Sequence, residues 1–395
     1  MPLLLKLPRE RFAYSPIRGR PRWRLPGGAR VAVWTIVNVE DWDIAKPMAR
    51  TVLPAPQGVV TVPDVPNWAW HEYGMRVGFW RLVEALAKRK IRATTAINAR
   101  VCRSYEPVAR AMLELGWEFM GHGVVQAAVH ALPDQRAAIR TAIQILRDFT
   151  GRKPKGWLGP GLAETWDTLD LLAEEGIEYV ADWVNDDQPY EIRTKAGVLV
   201  SVPYTLELGD LPVLVGQHHT EAAWLARLKD QFDRLYAEGA RQPRVLALGL
   251  HPYISGVPHR IKYVEAFYDY VQRRKGVWLA AGEDIYEWYR AGPRAPRPST
   301  AGARDRRHGH ELTDDVGPTR SRPAASTSLR SRAAELRRPR PPSPRGGEGR
   351  PSRRRSWFSG SPFSLSAYTE YGHGPAREQA CQGGKLRRTK GRVIR

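Results

Sequence analysis

Between residues 30 and 290 the chain repeats one pattern: a short apolar run, a polar residue where the run ends, then apolar residues at helical spacing. The first run, Val31-Ala32-Val33-Trp34-Thr35-Ile36-Val37, follows Pro26-Gly27-Gly28 and stops at Asn38-Val39-Glu40-Asp41-Trp42-Asp43. β-Branched and aromatic residues in so short a run, flanked by turn formers, read as a buried strand. The three carboxylates at its end cannot join the core, because an unpaired interior charge costs several kcal/mol. They face solvent, a cation or a substrate.

Residues 91–97, 117–120, 154–158, 177–181, 198–202, 245–250 and 276–280 read as further strands. Helical patterns lie between them: the stripe Val77, Trp80, Leu82, Val83 and Leu86, then residues 105–115, 133–149, 163–175, 221–237, 260–274 and 285–289. About eight strands alternating with helices require parallel βα units. A doubly wound sheet and a barrel both satisfy that pattern. No Gly-x-Gly-x-x-Gly follows the first strand, so the dinucleotide fingerprint is missing. Polar residues stand instead at many strand ends: Glu40 and Asp41, Asn98, His122, Asp182, Tyr204 and Glu207, His251, Glu283. Barrel enzymes assemble sites in this way, and the expectation is an α/β protein with a distorted (β/α)7–8 barrel.

The expected domain plan is an extended arm over residues 1–29, the barrel over 30–291, and a disordered tail over 292–395. Residues 44–75, with several prolines and Trp68, Trp70, His71 and Tyr73, read as a long irregular loop of functional type. The net charge of +21 looks like a nucleic-acid binder until it is divided: residues 291–395 carry 24 Lys+Arg and 8 Asp+Glu, against 38 and 33 before them. An Arg-, Pro- and Ser-rich tail without apolar periodicity cannot offset its ordering entropy by burial. Any nucleic-acid contact is expected to be non-specific and confined to it. Two cysteines, Cys102 and Cys381, exclude a disulfide framework. Three leucines near the N-terminus fall short of a signal peptide's roughly 7–15 apolar residues. No run approaches the roughly 18 of a membrane span. A cytoplasmic location without a membrane partner is expected.

The chemistry is concentrated at the strand ends. Glu40 and Asp41 are neighbours, so in an extended strand they point to opposite sides, and a bend is needed to bring both to one site. One carboxylate could serve as general base and the other as a metal ligand or orienting group. His122 lies between Gly121 and Gly123, with Gln126 four residues on and His130 eight on. His251 stands in Leu248-Gly249-Leu250-His251-Pro252-Tyr253, where the proline ends the strand and holds the ring at its mouth, a placement suited to general acid work. Asp182-Trp183 and Asn185-Asp186-Asp187 form another acidic strand end, whereas His218-His219 read equally as solvated loop residues.

Carboxylates after the first strand, Gly121-His122 after the third, Asp182-Trp183 after a middle strand and Leu248-x-x-His251-Pro252 near the end resemble the polysaccharide deacetylase (NodB-homology) family. The resemblance covers roughly residues 20–290. It implies a distorted (β/α)7-type barrel that hydrolyses carbon–nitrogen bonds other than peptide bonds, commonly N-acetyl groups of chitin-like or peptidoglycan sugars. Residues 72–81, Trp157-Leu158-Gly159-Pro160 and Asp186-Asp187-Gln188-Pro189 are similar to the branch with metal-independent allantoinases. Three features depart from the family pattern. Glu40-Asp41 stands for two aspartates, His122-Gly123-Val124-Val125-Gln126 for His-x-x-x-His, and Leu158-Gly159-Pro160 for Arg-x-Pro. An amide oxygen at Gln126 is a poor zinc ligand beside an imidazole, and Asp41 with His122 is short of three ligands.

The expected roles follow. Glu40, or else Asp41, activates water; His251 protonates the leaving nitrogen or stabilises the tetrahedral intermediate; His122 polarises the carbonyl or holds a weakly bound zinc-like ion with Asp41. By resemblance, Asp182 orients His251. Trp42, Trp68, Trp70, Trp157, Gln126 and Asp186 are the candidate pocket residues. The substrate is expected to be a small amide or ureide, or an N-acetyl sugar, with either no cofactor or one divalent metal; a homo-oligomer is compatible with these residues. The alternatives are a metal-dependent sugar deacetylase that recruits His71 or His130, and a catalytically dead ligand-binding barrel.

Overall fold

The computed structural model describes residues 6–292. The central strand β1 (Val31–Val39) is buried along its whole length. Seven further strands follow it in the parallel or hairpin order of the chain: β2 (Thr94–Ile97), β3 (Glu118–Gly121), β4 (Gly156–Trp157), β5 (Tyr179–Val180), β6 (Tyr190–Thr194), β7 (Gly197–Ser201) and β8 (Arg244–Leu250). The spatial order is β6-β7-β5-β4-β3-β2-β1-β8, and β9 (Val277–Ala280) pairs with β1. All pairs are parallel except the β6–β7 hairpin. Since β8 runs along Val31 to Val37, β9 beside Val31–Trp34 and β2 beside Ile36–Val39 share the other edge of β1.

Alternate residues of β1 go to two different cores. Val33 and Val37 pack outward with Leu82, Ile143, Phe232 and Phe267 of the helices. Trp34 and Ile36 pack inward with Met120, Tyr179, Val200 and Ala247. Residues from both ends of the strand order meet in this inner cluster, so the sheet curls on itself as a barrel with packed side chains inside. The curl is not closed by a β7–β8 ladder. Across the gap, the backbone N–H of Val245 donates to the carbonyl of Asp187 (2.9 Å) and the Gln188 amide donates to that of Pro243 (2.9 Å).

At the end of the barrel remote from the strand C-termini, Thr94 Oγ1 accepts from Trp34 Nε1 and from the backbone N–H of Gly282, and donates to Glu118 (2.7 Å). Burial first, then the charge of Glu283, pushes the Glu118 carboxyl up to about 7. A raised carboxyl is stabilising below the unfolded value near 4.5, and that contribution is lost as pH rises through about 7. Glu118→Gln can keep its oxygen on Thr94 and Glu283 N–H and turn its amide N–H toward Tyr179 Oη. The variant should therefore gain ~1–3 kcal/mol on the unsubstituted chain between pH 5 and pH 8; a constant difference in denaturant midpoints across that range would refute this assignment.

Helices cover the outside. The first in the chain is α1 (Pro8–Arg11), inside the segment expected to be extended. Arg11 is buried and pairs with both oxygens of Asp170 (3.0 Å each), so the arm is pinned to the barrel. The expected irregular stretch 44–75 is irregular only in its first part. Asp64 caps α2 (Val65–Tyr73), which runs through one π turn (Gly74–Gly78) into α3 (Phe79–Lys88). Then come α4 (Val101–Ser104), α5 (Glu106–Glu114), α6 (Gln135–Thr150), α7 (Thr168–Glu174) and α8 (Glu221–Glu238), followed by α9 (Pro252–Ser255), α10 (Pro258–Gln272) and α11 (Gly282–Ala291). No helix among the described residues is long and apolar enough to cross a membrane. The tail expected to be disordered, together with Cys381, lies outside the described residues.

The π turn is fixed by packing. A methyl group at Gly78 would overlap the carbonyl of Pro252, next to His251. Gly78→Ala should destabilise by ~1–3 kcal/mol, as overpacking does, and also lower activity by displacing the His251 turn. Urea unfolding at an unchanged m-value, paired with kcat, checks both.

Candidate active site

Three strand ends supply the centre: Glu40 after β1, His122 after β3 and His251 after β8. All three side chains are buried. The bend after Val39 does not bring the two adjacent acids together. Glu40 turns inward, whereas Asp41 turns to Arg100 Nη2 (2.6 Å) and to the hydroxyl of Ser104. Asn98 fixes this divergence: its Oδ1 accepts from the Asp41 N–H (2.9 Å), and its amide donates to the carbonyl of His122.

Glu40 is held by donors from three segments. Arg50 Nη1 donates to both oxygens (3.0 and 2.9 Å), Trp42 Nε1 to Oε2 (2.8 Å) and Tyr253 Oη to Oε2 (3.0 Å). Burial alone would raise this carboxyl. Arg50 above all, with His251, His122 and Trp42, outweighs burial and holds it at about 2. Oε1 lies 3.7 Å from His251 Nε2. A carboxylate so depressed is a poor proton acceptor, since base strength falls with pKa. The paired carboxylate is suited to orienting water and facing positive charge rather than to deprotonating water.

His251 Nδ1 donates to Asp210 Oδ1 (2.7 Å); Asp210 Oδ2 accepts from the His251 N–H (2.6 Å) and from Ser255 Oγ (2.6 Å). Asp210 is fully buried. The residue that orients His251 is thus Asp210 and not Asp182. Asp182 accepts from the Gly159 N–H (2.7 Å), and burial followed by the charge of Glu164 drives its carboxyl well above the usual range. Glu164 stands beside Asp182 and is itself raised by burial to about 7.

His122 Nδ1 lies 2.5 Å from the carbonyl oxygen of Leu158. A carbonyl only accepts, so Nδ1 carries the proton and Nε2 a lone pair. Burial pushes the ring down to about 4 against the pull of Glu40, which keeps it neutral near pH 7. His122 therefore offers an acceptor, and it cannot polarise a carbonyl by donating to it.

The remaining candidates divide. Trp42 stacks on His71 (4.7 Å, 18°), and the Trp68 indole donates to the Trp42 carbonyl (3.2 Å). Trp70 meets Tyr253 edge-on at 4.8 Å. These rings brace the Glu40 wall. Trp157 is core, packed against Gly121. Asp186 pairs with Arg20 of the N-terminal arm (2.7 and 2.6 Å). Gln126 donates its backbone N–H to the Asp41 carbonyl (3.1 Å), and its buried side-chain oxygen has no partner. His71 donates from Nε2 to the Glu40 carbonyl (2.9 Å), and its buried Nδ1 makes no hydrogen bond, with Glu72 Oε1 at 4.0 Å. His130, His218 and His219 are exposed. The sequence reading missed Arg50, Tyr253 and Asp210. Tyr253 follows His251-Pro252 and was within reach of the pattern; Arg50 sits in a loop and Asp210 at the start of the helical turn Leu211–Gly216, neither with a local signal.

The donor set does not fit a three-ligand metal centre. Asp41 is neutralised by Arg100, Gln126 replaces an imidazole, and Glu40 is tied to Arg50. No group of three His, Cys, Asp or Glu among the described residues is placed to hold an ion. Of the expected Asp41–His122 ligand pair, Asp41 is engaged by Arg100 and Ser104.

A model of the polysaccharide deacetylase family matches residues 66–180. A Schizosaccharomyces pombe protein named for polysaccharide deacetylases is 27% identical over 312 residues, 71% of this chain and 95% of its own. The crystal structure of a probable polysaccharide deacetylase from Pseudomonas aeruginosa is 30% identical, with a TM-score of 0.60 over 68% of this chain and 94% of its own. That of Puue allantoinase is 28% identical, with a TM-score of 0.62 over 69% and 94%.

Proposed function

The chain belongs to the polysaccharide deacetylase family, hydrolases of carbon–nitrogen bonds other than peptide bonds, and from that premise we propose that it cleaves a small cyclic amide or ureide by acid–base catalysis without a metal ligand set. One observation carries this reading: the Asp210–His251 pair faces Glu40, itself paired with Arg50, while Asp41 is occupied by Arg100. The likeness to Puue allantoinase supports the substrate class.

In this reading, Glu40 Oε1 and His122 Nε2 accept hydrogen bonds from the attacking water or from a substrate N–H. As the water oxygen bonds to the carbonyl carbon, His251 Nε2 takes its proton. The imidazolium lies between Asp210 on Nδ1 and Glu40 on the other side, two carboxylates that stabilise the charge. Collapse of the tetrahedral intermediate breaks the C–N bond, and the same proton passes from Nε2 to the leaving nitrogen. One proton thus moves from water to nitrogen, as hydrolysis requires.

A second reading, an N-acetylated sugar as substrate, is favoured by the polysaccharide deacetylase names of the S. pombe and P. aeruginosa relatives. It uses the same atoms. Dialysis of the full chain against chelator decides the mechanism, and parallel assays on allantoin and N-acetylglucosamine oligomers decide the substrate. Activity within about two-fold of the untreated protein is expected; a ten-fold (about 1.4 kcal/mol) loss restored by zinc would overturn the reading.

A further inference from the structure

A cavity of about 1120 Å³ lies between the N-terminal arm and the open seam of the barrel. That exceeds the roughly 300–1,000 Å³ of most ligand pockets. Its floor is Val245, Leu246 and Ala247 of β8, the strand left without a partner on this side. Its roof is the arm, fastened at Arg11 to Asp170 and at Arg20 to Asp186, with the Gln242 amide donating to the Arg20 carbonyl (3.0 Å). Tyr204 lines the cavity and is buried in the inner cluster of the barrel, so its ring forms the wall on that side. None of Glu40, His122, His251, Arg50 and Asp210 lines this cavity.

Its lining specifies the kind of ligand. Phe12 presents its ring with Trp183 (5.4 Å, edge-on) and Tyr190 (5.0 Å), giving apolar ring surfaces at one end. Both signs are interspersed there: Arg9, Arg20 and Arg290 line the cavity with Asp186, Asp187, Glu191 and Glu207, Arg20 pairing with Asp186 and Arg290 with Glu191 at 3.8 Å, while Arg244 and Arg227 reach Asp187 (3.7 Å) and Glu207 (3.9 Å) from outside the lining. No cluster of one sign remains to attract a phosphate or a cation. Neutral hydrogen-bonding groups remain: the Asn185 amide, whose Oδ1 accepts from Tyr190 Oη, and Gln231 and Thr205. Aromatic faces beside neutral amides and hydroxyls suit a ring with one apolar face and a rim of hydroxyls.

We propose that this arm-covered cavity is a second binding site, for an uncharged sugar. The site does not depend on which amide the catalytic centre cleaves. Calorimetric titration of the full chain with N,N′-diacetylchitobiose tests it. Saturable binding is expected, unchanged within about two-fold in Glu40→Gln and weakened at least ten-fold (about 1.4 kcal/mol) in the Asn185→Ala/Gln231→Ala double variant. Phe12→Ala should weaken it as well, and thermal melting identifies any variant that fails to fold. No saturable heat up to about 10 mM, well above millimolar affinity, overturns the proposal. So does binding that is lost with Glu40→Gln and kept in the double variant, which would place the sugar in the catalytic pocket.

Discussion

His251→Ala should lower kcat by about 10²–10⁴-fold, the worth of one positioned acid–base group, while the protein stays folded. The substituted residue still donates its backbone N–H to Asp210 (2.6 Å), and Ser255 still donates its hydroxyl (2.6 Å), so the buried carboxylate keeps two of its three donors. Asp210→Asn is the more discriminating variant. A carboxamide has one acceptor oxygen; if it stays on Ser255 and the His251 N–H, the N–H₂ group faces Nδ1. Nδ1 must then accept, and the ring proton moves to Nε2, the atom that has to take a proton from water. A loss in kcat comparable to that of His251→Ala is expected, with the tautomer change visible in the ¹⁵N shifts of the imidazole. Activity within a few-fold of the unsubstituted enzyme would show that Asp210 has no part in orienting the ring.

Arg50→Ala should have the largest effect on stability. Breaking a buried ion pair from one side leaves the other charge uncompensated, at ~3–5 kcal/mol; Arg50 keeps some solvent contact and so places the expectation near the lower figure. The sign of the pH dependence follows from Glu40. A carboxyl depressed to about 2 contributes stability that is fully present above its unfolded value near 4.5 and is lost as pH falls toward 2. Without Arg50, burial becomes the dominant influence and the carboxyl rises, so this protection on the acid side should shrink or reverse. Glu40→Gln combined with Arg50→Ala should be less destabilised than Arg50→Ala alone, because no buried charge is left unpaired. A double-mutant cycle by urea unfolding at pH 4 and pH 7 measures the coupling. Additive single effects at both pH values would remove Arg50 from the account of Glu40.

The two variants also show what separates the readable from the unreadable part of the site. Glu40, His122 and His251 were legible because each closes an apolar run, and a polar group at the end of a buried strand has few places to go. The strands themselves were legible for the same local reason, though most are shorter than their apolar runs: β2 begins at Thr94 and β5 keeps only Tyr179 and Val180. The hairpin strand β6, Tyr190–Thr194, went unread because charged residues alternate with buried Ile192 and Thr194. The helix from Val65 was hidden by prolines, one of which, Pro66, sits in the first turn, where a missing N–H costs nothing.

Sequence alone determined the alternation of strands and helices and the set of polar strand ends from which Glu40, His122 and His251 come; the choice of a barrel over a doubly wound sheet rested on the spread of those ends. The alternation and the strand ends depend on periodicity and on the cost of burying charge, and both are local along the chain. Only the tertiary structure decided which way each of two adjacent acids turns, that Arg50 neutralises Glu40, and that Asp210 takes the place expected of Asp182. Asp210 reaches His251 across 41 residues and Arg100 reaches Asp41 across 59. Such pairings are set by how loops from separate strands pack over one barrel mouth, and nothing in the neighbouring residues encodes them.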